Sequence, residues 1–199
     1  MGLPEPLTRR KRRTRLTPER ERELYGRTLD LVRDVGYETM TLDAVAAESR
    51  CSKATLYRQW GSKPRLVSEA LREMRPFSLE DLDTGSLRGD LHALAQRIGE
   101  ARKDLDLVRG ISLAIRKDAE LADAVHEALV QPELDLFESM LARAAERGEI
   151  DRSAPACGFL PHMFVGSVFS RPLLERQAAD TEYLQRYVDT VVLPLLLNA

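Results

Sequence analysis

Residues 48 to 63 read ESRCSKATLYRQWGSK, and the fold turns on how this stretch is read. Lys53, Thr55, Tyr57, Arg58, Gln59 and Lys63 are crowded into a short span that a core helix has no use for. The local signals still favour helix. Ser52 is a hydroxyl of the kind that accepts a hydrogen bond from the first free amides. Leu56 and Trp60 fall at i and i+4 on one face, and Gly61 can supply the left-handed stop. The spacing predicts a helix from Lys53 to Trp60 with a narrow apolar side and a broad polar one.

Reading toward the N-terminus, Thr41 can cap a short helix that turns Leu42, Val45 and Ala46 inward and ends near Ser49. Thr41 to Trp60 is then helix, turn, helix. Before it, Thr17, Pro18 and Glu19 form a hydroxyl cap, a first-turn proline and a first-turn acid, opening a helix that carries Leu24, Thr28, Leu31 and Val35 before Gly36. After it, Ser62 opens a helix with Leu66, Val67, Ala70, Leu71 and Met74, which Pro76 follows. Residues 76 to 86, PFSLEDLDTGS, read as a linker with a turn at Asp83-Thr84-Gly85.

The remaining sequence shows helical periods and no strand alternation. Leu87, Leu91, Leu94, Ala95 and Ile98 mark one helix, and Leu105, Val108, Ile111, Leu113 and Ile115 another. A long pattern from Ala119 to Arg147 is broken or kinked near Pro132 and ends at Gly148. Pro155 and Pro161 introduce HMFVGSVFS, and an apolar helix from Thr181 to Leu197 is interrupted by Pro194. The fold class is therefore all-α. The expected organisation is a disordered basic arm over residues 1–16, a helix-turn-helix head over 17–75 and a helical bundle over 76–199, with the fourth helix joining the two.

Charge follows the same division. Residues 1 to 75 hold 17 Lys or Arg against 11 Asp or Glu, and residues 76 to 199 hold 13 against 21. A basic first third on an acidic remainder suits a nucleic-acid-facing head, although solvated surface charge gives the same count. The run Arg9, Arg10, Lys11, Arg12, Arg13 and Arg15 is either a solubilising tail or an arm that follows phosphates or enters a minor groove.

No apolar run approaches a membrane span, and no apolar segment follows the basic N-terminus, so no membrane partner and a cytoplasmic location are expected. Cys51 and Cys157 are too few for a disulfide framework, and His92, His126 and His162 have no ligand spacing, so neither a metal nor a cofactor is expected. Without a Gly-rich phosphate loop, a Gly-x-Ser-x-Gly elbow or a His-Glu-x-x-His, catalysis has no sequence support.

In a helix-turn-helix the second helix lies in the major groove of double-stranded DNA and its N-terminal residues reach base edges. Thr41 and Ser52 can then meet phosphates at helix N-termini. Lys53, Thr55, Arg58 and Gln59 have donors or acceptors for bases, and Tyr57 and Lys63 suit the phosphate backbone.

Residues 41 to 71, TLDAVAAESRCSKATLYRQWGSKPRLVSEAL, resemble the DNA-binding signature of the tetracycline-repressor (TetR-like) family of transcriptional regulators, with the likeness extending over residues 17 to 75. It implies an all-helical homodimer in which helices one to three bind DNA and helix four relays. A variable C-terminal bundle would hold a small-molecule effector and the dimer surface. By position, the resemblance makes Thr41, Ser52, Lys53, Thr55, Tyr57, Arg58, Gln59 and Lys63 the DNA contacts. Two positions depart from the pattern: Arg50 stands where the family has the turn glycine, and Cys51 where it has a small β-branched residue. A left-handed Arg50 would cost on the order of 1 kcal/mol and leave its side chain near a phosphate. Cys51 is expected to point into the small core behind the turn.

The expected mechanism is a dimer on a palindromic operator, its recognition helices roughly 34 to 36 Å apart. The dimer surface is expected within residues 155 to 197, and Phe137, Met140, Leu141, Phe159, Met163, Phe164 and Phe169 are expected to divide among core, dimer surface and pocket. Two other classes remain open: a ligand-independent DNA-binding protein, and an all-helical enzyme or interaction module with a vestigial head.

Overall fold

The computed structural model describes residues 16–79, 82–101 and 104–197. The basic run Arg9 to Arg15 lies outside them. Among the described residues the chain is helical throughout, without strands. The head comprises α1 (Pro18–Val35), α2 (Leu42–Glu48), α3 (Lys53–Trp60) and α4 (Lys63–Glu73). Each begins as its sequence dictates: the hydroxyls of Thr17, Thr41, Ser52 and Ser62 accept from the amides of Arg20, Ala44, Thr55 and Arg65. Gly36 and Gly61 close α1 and α3 at φ of 81° and 79°.

The body comprises α5 (Leu87–Glu100), α6 (Leu105–Ala114), α7 (Ala119–Val125), α8 (Gln131–Glu146), α9 (Leu160–Glu175), α10 (Thr181–Tyr187) and α11 (Leu193–Leu197). A 3₁₀ turn at Pro155–Phe159 leads into α9. The break expected near Pro132 is a π turn, His126–Val130, and a second one, Val188–Val192, precedes Pro194. In each case a proline lacks an N–H for the carbonyl four residues back and its ring crowds that carbonyl; widening the helix by one residue relieves both. Thus α7 and α8 run on with a change of register, as do α10 and α11.

Two apolar clusters hold the molecule. One joins Leu24, Leu29, Leu56, Trp60, Leu66 and Val67 of the head to Leu107, Ile111 and Leu121 of α6 and α7. The other joins Leu87, Leu91 and Leu94 of α5 to Met140, Leu160, Leu184, Val192 and Leu196. The first cluster therefore crosses from head to body, with α1 packed on α6 and α4 on α7. Val35 and Leu113 fit the apolar periods but lie exposed. Val35 is the last residue of its helix, and α6 turns Leu107, Ile111 and Ala114 inward instead.

From residue 82 onward, the segment read as a linker is fixed to the body. Leu82 is buried, and the fully buried Asp90 accepts from Thr84 N (2.6 Å), Thr84 Oγ1 (2.8 Å) and Arg143 Nη2 (3.3 Å). Arg143 Nη2 also donates to the Leu82 carbonyl at 2.6 Å. A buried carboxylate is tolerated because its acceptor sites are filled. Gly85 has φ of 85°, as the expected turn requires.

Polar bonds flank the shared cluster. Tyr37, after α1, donates its phenol to Asp118 Oδ2 at 2.7 Å, while Asp118 Oδ1 caps α7 by accepting from Leu121 N at 3.0 Å. Lys117 pairs with Glu38 at 2.8 Å and Arg33 with Asp104. The Leu121 amide, followed by the Tyr37 hydroxyl, holds the Asp118 carboxyl below its usual range. Burial, followed by the bond to Asp118, pushes the Tyr37 phenol well up.

These shifts fix the pH dependence. A carboxylate whose folded pKa is depressed stabilises the fold above its unfolded pKa, about 3.9, and that contribution is lost as the pH falls through the folded value. Asp118→Asn keeps a good N-cap but removes the charge. The variant is therefore expected to unfold more readily than the native chain at pH 6 to 7, and the gap is expected to close below about pH 4. Urea unfolding followed by circular dichroism across that range checks this, and a gap independent of pH contradicts it.

Candidate nucleic-acid interface

The position of α3 is set by its narrow apolar side. Leu56 and Trp60 are buried, and the Trp60 ring meets Tyr25 of α1 edge-on at 5.8 Å and 78° while its Nε1 donates to Tyr25 Oη at 3.3 Å. Burying that side turns the opposite one to solvent. Tyr57 is 54% exposed, Lys53 58% by side chain, and Ala54 and Arg58 are also open. Among the described residues the side chains of Tyr57 and Arg58 have no hydrogen-bonding or ionic partner. Lys53 pairs with Asp43 of α2, itself exposed.

The turn between α2 and α3 is a Schellman closure. Cys51 N donates to Ala46 O at 3.0 Å and Arg50 N to Ala47 O at 3.4 Å, which requires the left-handed conformation at Arg50, where φ is 51°. The arginine therefore takes the backbone state that a glycine adopts freely, and its side chain is exposed. Cys51 packs against the head cluster but remains half-buried, with Sγ 3.8 Å from the Ser52 carbonyl. Arg20 of α1 donates to the Ser49 carbonyl at 3.0 Å and braces the turn from behind.

Arg50, Ser52, Lys53, Tyr57 and Arg58 are exposed in the turn and on α3, and Thr41 is exposed at the N-terminus of α2. Thr55 is half-buried, and its hydroxyl lies 2.9 Å from that of the capping Ser52. Gln59 and Lys63 are placed differently. Gln59 is half-buried and donates to Glu21 of α1. Lys63 donates to the carbonyls of Tyr37 (2.9 Å) and Met40 (3.1 Å) and lies 4.2 Å from the Tyr37 ring centroid. Both stitch the head together. Arg20, Glu21 and Asp43 escaped the sequence reading because they act across helices, where no periodicity connects the partners.

In the body, a cleft of about 320 Å³ lies between α8 and the Pro155–Phe159 turn, lined by Leu134, Asp135, Phe137, Glu138, Leu141, Arg152, Cys157 and Pro161 among others. Of the apolar residues singled out from sequence, Phe137 and Leu141 line it, Met140 and Phe164 are buried in the core, Met163 is half-buried, and Phe159 and Phe169 are exposed. Val165, Phe169 and Leu173 are exposed four residues apart along α9, and Leu195 and Leu197 are exposed on α11. Among the described residues no group of His, Cys, Asp and Glu could hold a metal ion, and no helix is long and apolar enough to cross a membrane.

Comparison with known proteins agrees with this geometry. The family model described as "Bacterial regulatory proteins, tetR family" matches residues 26–70, and "Tetracyclin repressor-like, C-terminal domain" matches 81–191. An uncharacterised HTH-type transcriptional regulator of Mycobacterium tuberculosis is 35% identical over 90% of this chain and 89% of its own length. The DNA-binding transcriptional repressor TetR of Mycobacteroides abscessus is 34% identical over 83% and 87%. A TetR-family regulator from Rhodococcus sp., 18% identical, shares the fold with a TM-score of 0.68 over 88% of this chain and all of that one.

Two substitutions test the scaffold. Arg50→Gly is expected to stabilise the head by about 1 kcal/mol by relieving the left-handed strain. Lys63→Met is expected to destabilise it by about 1 to 3 kcal/mol, since the Tyr37 and Met40 carbonyls lose a charged donor. Denaturant midpoints check both, and an unchanged midpoint in either variant contradicts its assignment.

Proposed function

The chain belongs to the tetracycline-repressor family of DNA-binding helix-turn-helix transcriptional regulators, and on that premise we propose that it is a dimeric repressor released from a palindromic operator by a small molecule. The observation that carries this reading is the open polar side of α3, held outward by the burial of Leu56 and Trp60. Lys53 and Arg58 are the base-reading candidates, because their donors are long and exposed near the helix face that enters a groove. Tyr57, Arg50 and the N-terminal hydroxyls of Thr41 and Ser52 face the phosphates, with Thr55 beside them. Gln59 and Lys63 serve indirectly, by fixing α3 to α1 and the start of α4 to the loop before α2.

Dimerisation is assigned to Val165, Phe169 and Leu173, spaced four residues apart along α9, together with Phe159, Leu195 and Leu197, all exposed large side chains that water solvates poorly. Two copies joined there present two recognition helices, and two-fold symmetry makes the operator a palindrome. The cleft beside α8 supports effector binding: at about 320 Å³ it lies at the small end of the usual range of roughly 300 to 1,000 Å³ for ligand sites. A ligand shifts the DNA affinity by its difference in affinity for the two body conformations, typically about 1 to 3 kcal/mol.

The direct test is a gel shift on the duplex upstream of its own gene at several salt concentrations. Tyr57→Ala is expected to weaken all duplexes alike, whereas Arg58→Ala is expected to cost about 1 to 3 kcal/mol on the preferred site and to relax the preference. Equal losses on preferred and random duplex remove Arg58 as a reader. Phe169→Glu is expected to give monomers by light scattering; an unchanged mass moves the interface elsewhere.

A further inference from the structure

The helix that lines the effector cleft is irregular at the point where it meets the head. Between α7 and α8 the π turn His126–Val130 is closed by the Gln131 amide bonding to the His126 carbonyl. Another of its carbonyls is claimed from outside: Arg75 Nη2 donates to Leu129 O at 3.2 Å. Arg75 follows directly on Met74, the C-cap of α4, and its side chain is only 12% exposed. The same Nη2 lies 3.4 Å from Glu133 Oε1, in the first turn of α8. One guanidinium therefore bonds a carbonyl before Pro132 and a carboxylate after it, spanning the joint.

The two charges depend on each other. Burial pushes the Glu133 carboxyl up and the Arg75 guanidinium down, and each shift is opposed by the partner's charge. Such a pair is hard to break by removing one side, because the other is left desolvated. Leu134, next to Glu133, and Phe137 and Leu141, one and two turns further along α8, line the cleft.

We propose that Arg75 is a positioning residue that fastens α4, and through it the DNA-binding head, to the π turn, making that turn the joint at which displacement of α8 becomes displacement of the head. This rests on the DNA-binding reading above and specifies how its regulation is transmitted. With its extra residue the π turn is the irregular point between α7 and α8, so a push on α8 is taken up there, where Arg75 grips the chain on both sides of Pro132. Coupling of this kind is reciprocal: DNA held by the head must be felt at the turn.

Hydrogen–deuterium exchange of the full chain, alone and with a duplex enriched from a random library, tests this. DNA is expected to change exchange over residues 126–134 several-fold in the native protein. In Arg75→Met that change is expected to vanish while protection of α2 and α3 by DNA persists, and Arg75→Lys, which keeps a charged donor, is expected to restore it in part. A joint indifferent to DNA in the native chain, or a change that survives in Arg75→Met, overturns the proposal. If Arg75→Met fails to fold by circular dichroism, Glu133→Gln decides: a reduced response at 126–134 supports the role and an undiminished one overturns it. If DNA leaves α2 and α3 unprotected in the native protein, the DNA-binding reading itself fails, and this proposal with it.

Discussion

Everything outward-facing in the head depends on what two side chains do inward. Leu56 and Trp60 are the only large apolar residues that α3 gives to the core, and their burial against α1 fixes its rotation. A short helix has little stability of its own and takes its structure from packing. Rotating α3 by one residue would expose Trp60 and bury Tyr57 or Arg58 without partners, which costs more than any surface bond it could gain. The open polar face is thus the complement of the packed one.

The head is also continuous with what lies behind it. Leu107, Ile111 and Leu121 share a cluster with Leu66 and Val67, and Tyr37–Asp118 and Arg75–Glu133 bracket that cluster with polar bonds. The division of the chain by function and the division by packing therefore differ: α6 and α7 side with the head, while α5 and α8 to α11 enclose the second cluster. Because α4 and α7 pack together within the shared cluster, the body cannot rearrange near α7 without disturbing α4.

The sequence disclosed whatever is local. Caps at Thr17, Thr41, Ser52 and Ser62 and stops at Gly36 and Gly61 are short-range signals, and each is where it was expected; the apolar spacing of the head helices holds apart from the exposed Val35. The left-handed state of Arg50 was legible only as a condition, through the resemblance to a family with glycine at that position; the structure adopts it, with φ of 51°. Long-range partners were not legible. Nothing local says that Gln59 will meet Glu21, that Lys63 will be taken by the carbonyls near Tyr37, or that Asp90 will be buried under Thr84 and Arg143. Side-chain type marked Gln59 and Lys63 as DNA-facing; in the structure their partners are Glu21 and the carbonyls of Tyr37 and Met40.

The two widened turns bear on how this chain is aligned with its relatives. A π turn holds one more residue than the α-helical turn it replaces, and one residue is worth about 100° of rotation about the axis. A helical wheel drawn straight through Ala119 to Glu146 therefore misassigns the inner and outer faces on one side of His126–Val130. A homologue lacking Pro132 and one residue nearby would place the same side chains of α7 and α8 in the same directions. A single-residue gap at that point would record a helix restored to regularity, with both flanks undisturbed.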